Sequence, residues 1–90
     1  MRTIYKESLI VDDVQTIRVP KGAKILKVGL QKGHICVWYE CETDNQYEDR
    51  KIYMFGTGHE MPDKEVRYIG TLILQYDLLM FHFYEEVVSC

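Results

Sequence analysis

The chain has 90 residues, 47% of them apolar and 28% charged, and a formal net charge of −3. That is the size and mixture of one globular domain over residues 1–90, with a thin core, because a chain this short buries only about 60–65% of the surface it exposes when unfolded. No run approaches the roughly 20 apolar residues that cross a bilayer, and the acidic balance disfavours bulk nucleic-acid binding.

The charge is unevenly spread. Residues 1–35 carry seven Lys/Arg against three acids, and residues 36–90 carry four against eleven. A local basic pocket for one small anionic ligand is compatible with that pattern. Met1-Arg2-Thr3-Ile4-Tyr5-Lys6 lacks the apolar run of a secretion signal, so a cytosolic protein is expected. Cys36, Cys41 and Cys90 are odd in number and show no paired metal-ligand spacing. All three are expected to be reduced thiols, and neither a metal nor a cofactor is expected.

Short runs of β-branched and aromatic residues alternate with turn residues along the chain, which predicts an all-β fold. Strands are expected at 3–10, 15–19, 24–31, 35–42, 50–55, 66–75 and 78–85. Six to seven antiparallel strands in a small sandwich or barrel, with little or no helix, accommodate them. Asp12 and Asp13 should break the first run, and Pro20-Lys21-Gly22-Ala23 combines a fixed φ with a residue that tolerates positive φ. Lys32-Gly33 and Tyr76-Asp77 sit at hairpin spacing between apolar runs, and the polar stretch 43–49 reads as a mobile loop.

The alternation also assigns faces. In the third strand Leu26, Val28 and Leu30 form an apolar row, with Lys27, Gly29 and Gln31 opposite. The last strand has apolar residues on both faces: Leu79, Phe81 and Phe83 on one, Leu78, Met80, His82 and Tyr84 on the other. Burial on both sides exceeds what one short chain supplies, so a homo-oligomer is expected unless a small closed barrel leaves the extra aromatics partly exposed.

Two groups of residues are candidates for function. The loop Gly56-Thr57-Gly58-His59 either makes a structural turn or presents backbone N–H groups to an anion, with His59 assisting. It lacks the lysine of a phosphate-binding P-loop. Trp38, Tyr53, Phe55, Tyr68 and Tyr84 lie in or beside strands near Arg50, Lys51 and Arg67, a mixture suited to stacking on a nucleobase while cations hold phosphate. The same aromatics suit subunit contact. The candidate ligand set is therefore Trp38, Arg50, Lys51, Tyr53, Gly56, Thr57, Gly58, His59 and Arg67, and the candidate oligomer interface is Tyr68, Met80, His82 and Tyr84. His82, between two phenylalanines, is expected to be a core or interface histidine with one hydrogen bond. Ser8 and Ser89 lack a nucleophile setting, and Cys36 is expected to behave as a small apolar residue, so no enzyme is expected.

Ile4-Tyr5-Lys6, Gln15-Thr16-Ile17, Pro20-Lys21-Gly22-Ala23-Lys24-Ile25-Leu26, Cys36-Val37-Trp38, Gly56-Thr57-Gly58-His59, Tyr68-Ile69-Gly70-Thr71 and Phe81-His82-Phe83 occur in this order. Over nearly its whole length the chain resembles an uncharacterised family of small proteins encoded largely by bacteriophages and prophages. The resemblance carries no established activity. By analogy with other small phage proteins, it implies anti-defence: a homo-oligomeric sponge that sequesters an anionic cyclic nucleotide in pockets at subunit interfaces of the host cytosol. Direct inhibition of a host defence protein is the alternative, and a small virion or housekeeping protein a further one.

Overall fold

The computed structural model describes residues 1–74 and 79–87. Seven strands follow one another: β1 (Arg2–Ser8), β2 (Val14–Pro20), β3 (Lys24–Gln31), β4 (His34–Glu42), β5 (Tyr47–Gly56), β6 (Val66–Leu74) and β7 (Leu79–Glu86). They form a three-stranded sheet, β1-β4-β3, and a four-stranded sheet, β2-β5-β7-β6. Every pairing is antiparallel. The all-β expectation is met, as two sheets and not one closed sheet. The Tyr76-Asp77 turn, the strand ends at Gln75 and Leu78, and Cys90 lie outside the described residues.

Local chemistry explains the breaks. After β1, the Gln15 side chain bridges the connection, accepting from the Ile10 N–H at 3.0 Å and donating to the Ile10 carbonyl at 2.9 Å. Between β3 and β4, Lys32 and Gly33 both take positive φ, 51° and 80°, and close a two-residue hairpin in which Gln31 faces His34. The Pro20–Ala23 turn instead carries the chain from one sheet to the other, with the Ala23 N–H bonded to the Pro20 carbonyl at 3.0 Å. Of the strands adjacent in sequence, only β3–β4 and β6–β7 pair.

Two expectations are corrected. Residues 43–49 are not all loop, because β5 begins at Tyr47 and pairs Tyr47, Glu48 and Asp49 with Pro20, Val19 and Arg18. Their polarity is accommodated by ion pairs, Glu48 with Arg50 and Asp49 with Arg18. In β3 the register shifts between Ile25 and Lys27, so Leu26 is a bulge residue without a partner. The bulge resets the alternation: Val28 is buried and Ile25 packs on the core, while Leu26 and Leu30 are exposed. Of the expected apolar row, Val28 and Leu30 keep one face, opposite the core residues Val37 and Ile35, with Lys27, Gly29 and Gln31 on the other, and only Leu26 drops out at the bulge.

The core lies between the sheets, built from Ile17 and Val19 of β2, Val28, Val37 and Tyr39 of the smaller sheet, Ile52 and Met54 of β5, and Phe83 of β7. Full burial of side chains such as Phe83 and Ile52 contributes roughly 1.5–3 kcal/mol each. The sheets come closest where β3 meets β6. A Cβ on Gly70 would sit 2.8 Å from Val28 Cγ1, so the missing side chain lets the two layers touch.

Candidate functional site

Among the described residues, the densest set of rings lies on the outer face of the four-stranded sheet. Tyr84 is the cross-strand neighbour of both Tyr53 and Tyr68, so β5, β7 and β6 contribute one row of three tyrosines. The next row is Phe55, His82 and Thr71, followed by Met80 opposite Ile73. Tyr53 and Phe55 stack at 5.9 Å between ring centres, and Phe55 and Tyr68 each meet Tyr84 at an angle, at 5.8 and 5.3 Å. The segment after β5 folds back over one end, bringing Met61 and Pro62 into a cleft with Tyr53 and Phe55. Tyr53 is thereby buried, but Tyr68 remains 55% exposed, and Met80 and Ile73 are exposed beside it.

A chain of hydrogen bonds crosses this face. Tyr68 Oη meets Thr71 Oγ1 at 2.6 Å, Thr71 Oγ1 meets His82 Nδ1 at 3.0 Å, and His82 Nε2 meets Thr57 Oγ1 at 2.9 Å. A neutral imidazole donates from one nitrogen and accepts at the other, and hydroxyls serve either role. His82 therefore uses two hydrogen bonds, where one was expected. The relay ties the Gly56-Thr57-Gly58-His59 turn to the sheet, and the turn closes through the His59 N–H on the Gly56 carbonyl at 3.1 Å. The His59 ring covers Gly56, where a Cβ would meet it at 2.8 Å. Below the turn, Thr57, His59, Met80 and Phe81 line a cleft of about 340 Å³. No described carboxylate bonds His82, so the hydroxyl–imidazole pair lacks the orienting acid of a nucleophilic triad.

Arg50 and Arg67 point to the other side of the same sheet. The Glu85 side chain, 2% exposed, accepts from Arg50 at 3.2 Å and from Arg67. Arg50 also donates to Glu48 at 2.7 Å and to the Ala23 carbonyl at 3.0 Å. That hydrogen bond to Arg50 holds the Glu48 carboxyl below its ordinary range, against the opposing effect of burial. Two guanidiniums thus meet two carboxylates, and the cluster is electrically balanced before any ligand arrives.

The outer face of the three-stranded sheet is different again. Trp38 lies there on β4, with Lys6 of β1 and Lys27 of β3 as its two cross-strand neighbours. Cys36 shares that face and Cys41 points into the core, and both are buried free thiols.

A family model described as a domain of unknown function (DUF7352) matches residues 1–89. The chain belongs to the DUF7352 family. No curated protein and no solved structure matches it. The matched span takes in all seven strands, so both outer faces belong to the DUF7352 unit.

Within this DUF7352 domain, the candidate interface residues Tyr68, Met80, His82 and Tyr84 share one face. The candidate ligand residues divide among four places. Lys51 and Tyr53 join the aromatic face, Gly56, Thr57, Gly58 and His59 form the turn at its end, the buried Arg50 and the exposed Arg67 meet at Glu85, and Trp38 sits on the opposite sheet. Sequence reading missed Thr71, Lys6 and Lys27. Only the register aligns them with His82 and Trp38, and no local pattern signals it.

Proposed function

We propose that this DUF7352 protein acts by binding and not by catalysis, as a homo-oligomer whose copies meet on the outer face of the four-stranded sheet and which sequesters an anionic nucleotide. The observation that carries self-association is the uncovered aromatic row of Tyr68 and Tyr84 with Met80 and Ile73, on a sheet whose other face is already filled by the core. Large exposed apolar patches mark interaction sites.

A second copy is the occupant that fits. The charges on this face are largely matched within the chain, Arg18 with Asp49 at 2.9 Å and Lys64 with Glu86 at 3.5 Å. A two-fold contact brings a patch against itself, which a strongly charged face would oppose. The molecule extends 41 by 33 Å across its broad side, enough for the roughly 800 Å² per partner of a standard interface.

The resemblance to phage and prophage proteins gives such binding a purpose, capture of a nucleotide signal of host defence. Light scattering after size exclusion tests the assembly: a dimer or larger for the wild type and a monomer for Tyr68→Lys with Met80→Lys. Calorimetric titration with cyclic dinucleotides, cyclic trinucleotides and cyclic ADP-ribose isomers tests the ligand. A wild type that stays monomeric at high concentration removes the first part, and no heat from any of these compounds removes the second.

A further inference from the structure

We propose that the outer face of the three-stranded sheet is the nucleotide site, with Trp38 as the stacking platform and Lys6 and Lys27 as the phosphate anchors beside it. This deepens the nucleotide-binding function proposed above and rests on it, but it does not depend on self-association.

The register creates the arrangement. Trp38 pairs with Lys6 on one flank and Lys27 on the other, so three side chains stand in a row Lys–Trp–Lys across β1, β4 and β3. Strands lie about 4.8 Å apart, which separates the two lysine-bearing strands by roughly 10 Å. The Lys6 stem spans β4 to reach Gln31 of β3 and the Lys27 head lies over Gly29, so both ammonium groups gather on the β3 side of the indole. The bulge at Leu26 is what sets Lys27 opposite Trp38, since without it the row would meet a different residue of β3.

A Cβ on Gly29 would sit 3.4 Å from Trp38 Cζ3 and 3.2 Å from Lys27 Cε, so the indole edge and the Lys27 stem share the gap over this glycine. Trp38 is only half-buried. No described element covers this face.

Charge selects the class of ligand. Arg2, Lys6, Lys24 and Lys27 share the face with Glu40 and Glu42. Arg2 is bonded to Glu40 at 2.7 Å, and the N-terminal amine lies 3.7 Å from Glu42. Among the described residues, Lys6, Lys24 and Lys27 have no carboxylate partner. Lys6 is held by the neutral Gln31, its Nζ donating to Oε1 at 2.6 Å, which fixes the ammonium without cancelling it. A chain of net charge −3 therefore presents a positive face with an aromatic ring at its centre. An unpaired nucleobase carrying phosphate fits both features, the ring by stacking and the phosphate by the ammonium groups. Arg50 and Arg67 offer no such charge, being neutralised by Glu48 and Glu85.

Trp38 is the only tryptophan, so its fluorescence reports on this face alone. The full-length protein is titrated with cyclic di-AMP, with ATP and with a short oligothymidylate, following both tryptophan emission and heat. Saturable quenching by cyclic di-AMP or ATP identifies a free nucleotide as the source of the base and phosphate, and quenching by the oligothymidylate alone identifies a single strand. Lys6→Glu with Lys27→Glu, both on an open surface, is expected to weaken that binding about tenfold or more and to flatten its salt dependence. Trp38→Ala, read by heat, is expected to weaken it about fivefold to a hundredfold. Heat of binding that leaves Trp38 emission unchanged and survives all three substitutions overturns this site and spares the proposed function. Neither heat nor quenching with any of the three probes overturns this site as well.

Discussion

Arg50 and Glu85 form an ion pair inside the sandwich, 3.2 Å apart, with side chains only 10% and 2% exposed. A buried pair of this kind adds little over an apolar pair of the same shape, but breaking it leaves a charge stranded in a poorly solvated place. Glu85 carries more of that load than its partners, because it also accepts from Arg67. Glu85→Ala is expected to lower the free energy of unfolding by about 3–5 kcal/mol in urea denaturation. Arg50→Met together with Glu85→Leu is expected to recover most of the loss, Arg67 being largely solvated. Equal destabilisation by the single and the double variant would contradict an internal role for the pair.

Glu48 sets the acid limb of the stability profile. Its carboxyl is held below its ordinary value of 4.5, first by the Arg50 hydrogen bond and then by the Gly22 N–H, with burial acting in the opposite direction. A carboxylate depressed in the folded state stabilises the fold fully above its unfolded value and loses that contribution as the pH falls through the folded one. The wild type is therefore expected to lose stability as the pH drops below 4.5. Glu48→Gln should be less stable near neutrality and flatter over the acid range. Urea midpoints taken through that range check it, and parallel profiles for the two proteins would exclude Glu48 as a source.

The seven strands were legible because apolar and β-branched residues announce extended chain wherever they alternate, and Gly, Pro and Asp mark its ends. Facing was harder. The bulge at Leu26 inverts the alternation of β3 half-way along, and a second register shift between Tyr68 and Gly70 does the same in β6, without any local composition that signals either. Pairing was not legible, since β2 meets β5 and β5 meets β7 across long stretches of chain. Arg50 and Arg67 read as free surface cations because their neutralising acid, Glu85, is distant in sequence. The same holds for the Lys6, Trp38 and Lys27 row, whose members come from three strands. The interface candidates fared differently, because Tyr68, Met80, His82 and Tyr84 share a face through simple alternation along β7 and a single pairing with β6.

Lys32 is the one described residue other than glycine with positive φ, at 51°. The two-residue hairpin needs that conformation at both positions, and a lysine Cβ resists it where asparagine does not. Lys32→Asn is expected to raise the free energy of unfolding by about 0.5–1 kcal/mol without altering the fold. Thermal and urea denaturation check it. A loss of stability would mean that the lysine side chain supplies a contact outweighing the backbone strain.

The contact between Gly70 and Val28 decides how closely the sheets lie, and it predicts a coupling as well as a cost. A methyl group on Gly70 would press on Val28 Cγ1 from 2.8 Å, far inside ordinary contact, at the point where β6 and β3 approach. Gly70→Ala is therefore expected to destabilise by about 1–3 kcal/mol through overpacking. Val28→Ala alone also destabilises, by removing buried methyl groups from the core. In combination the two changes exchange volume across the contact, so the double variant should be more stable than the sum of the single losses by about 1 kcal/mol. A double-mutant cycle in urea measures this directly, and strictly additive losses would show that the layers do not meet at this pair.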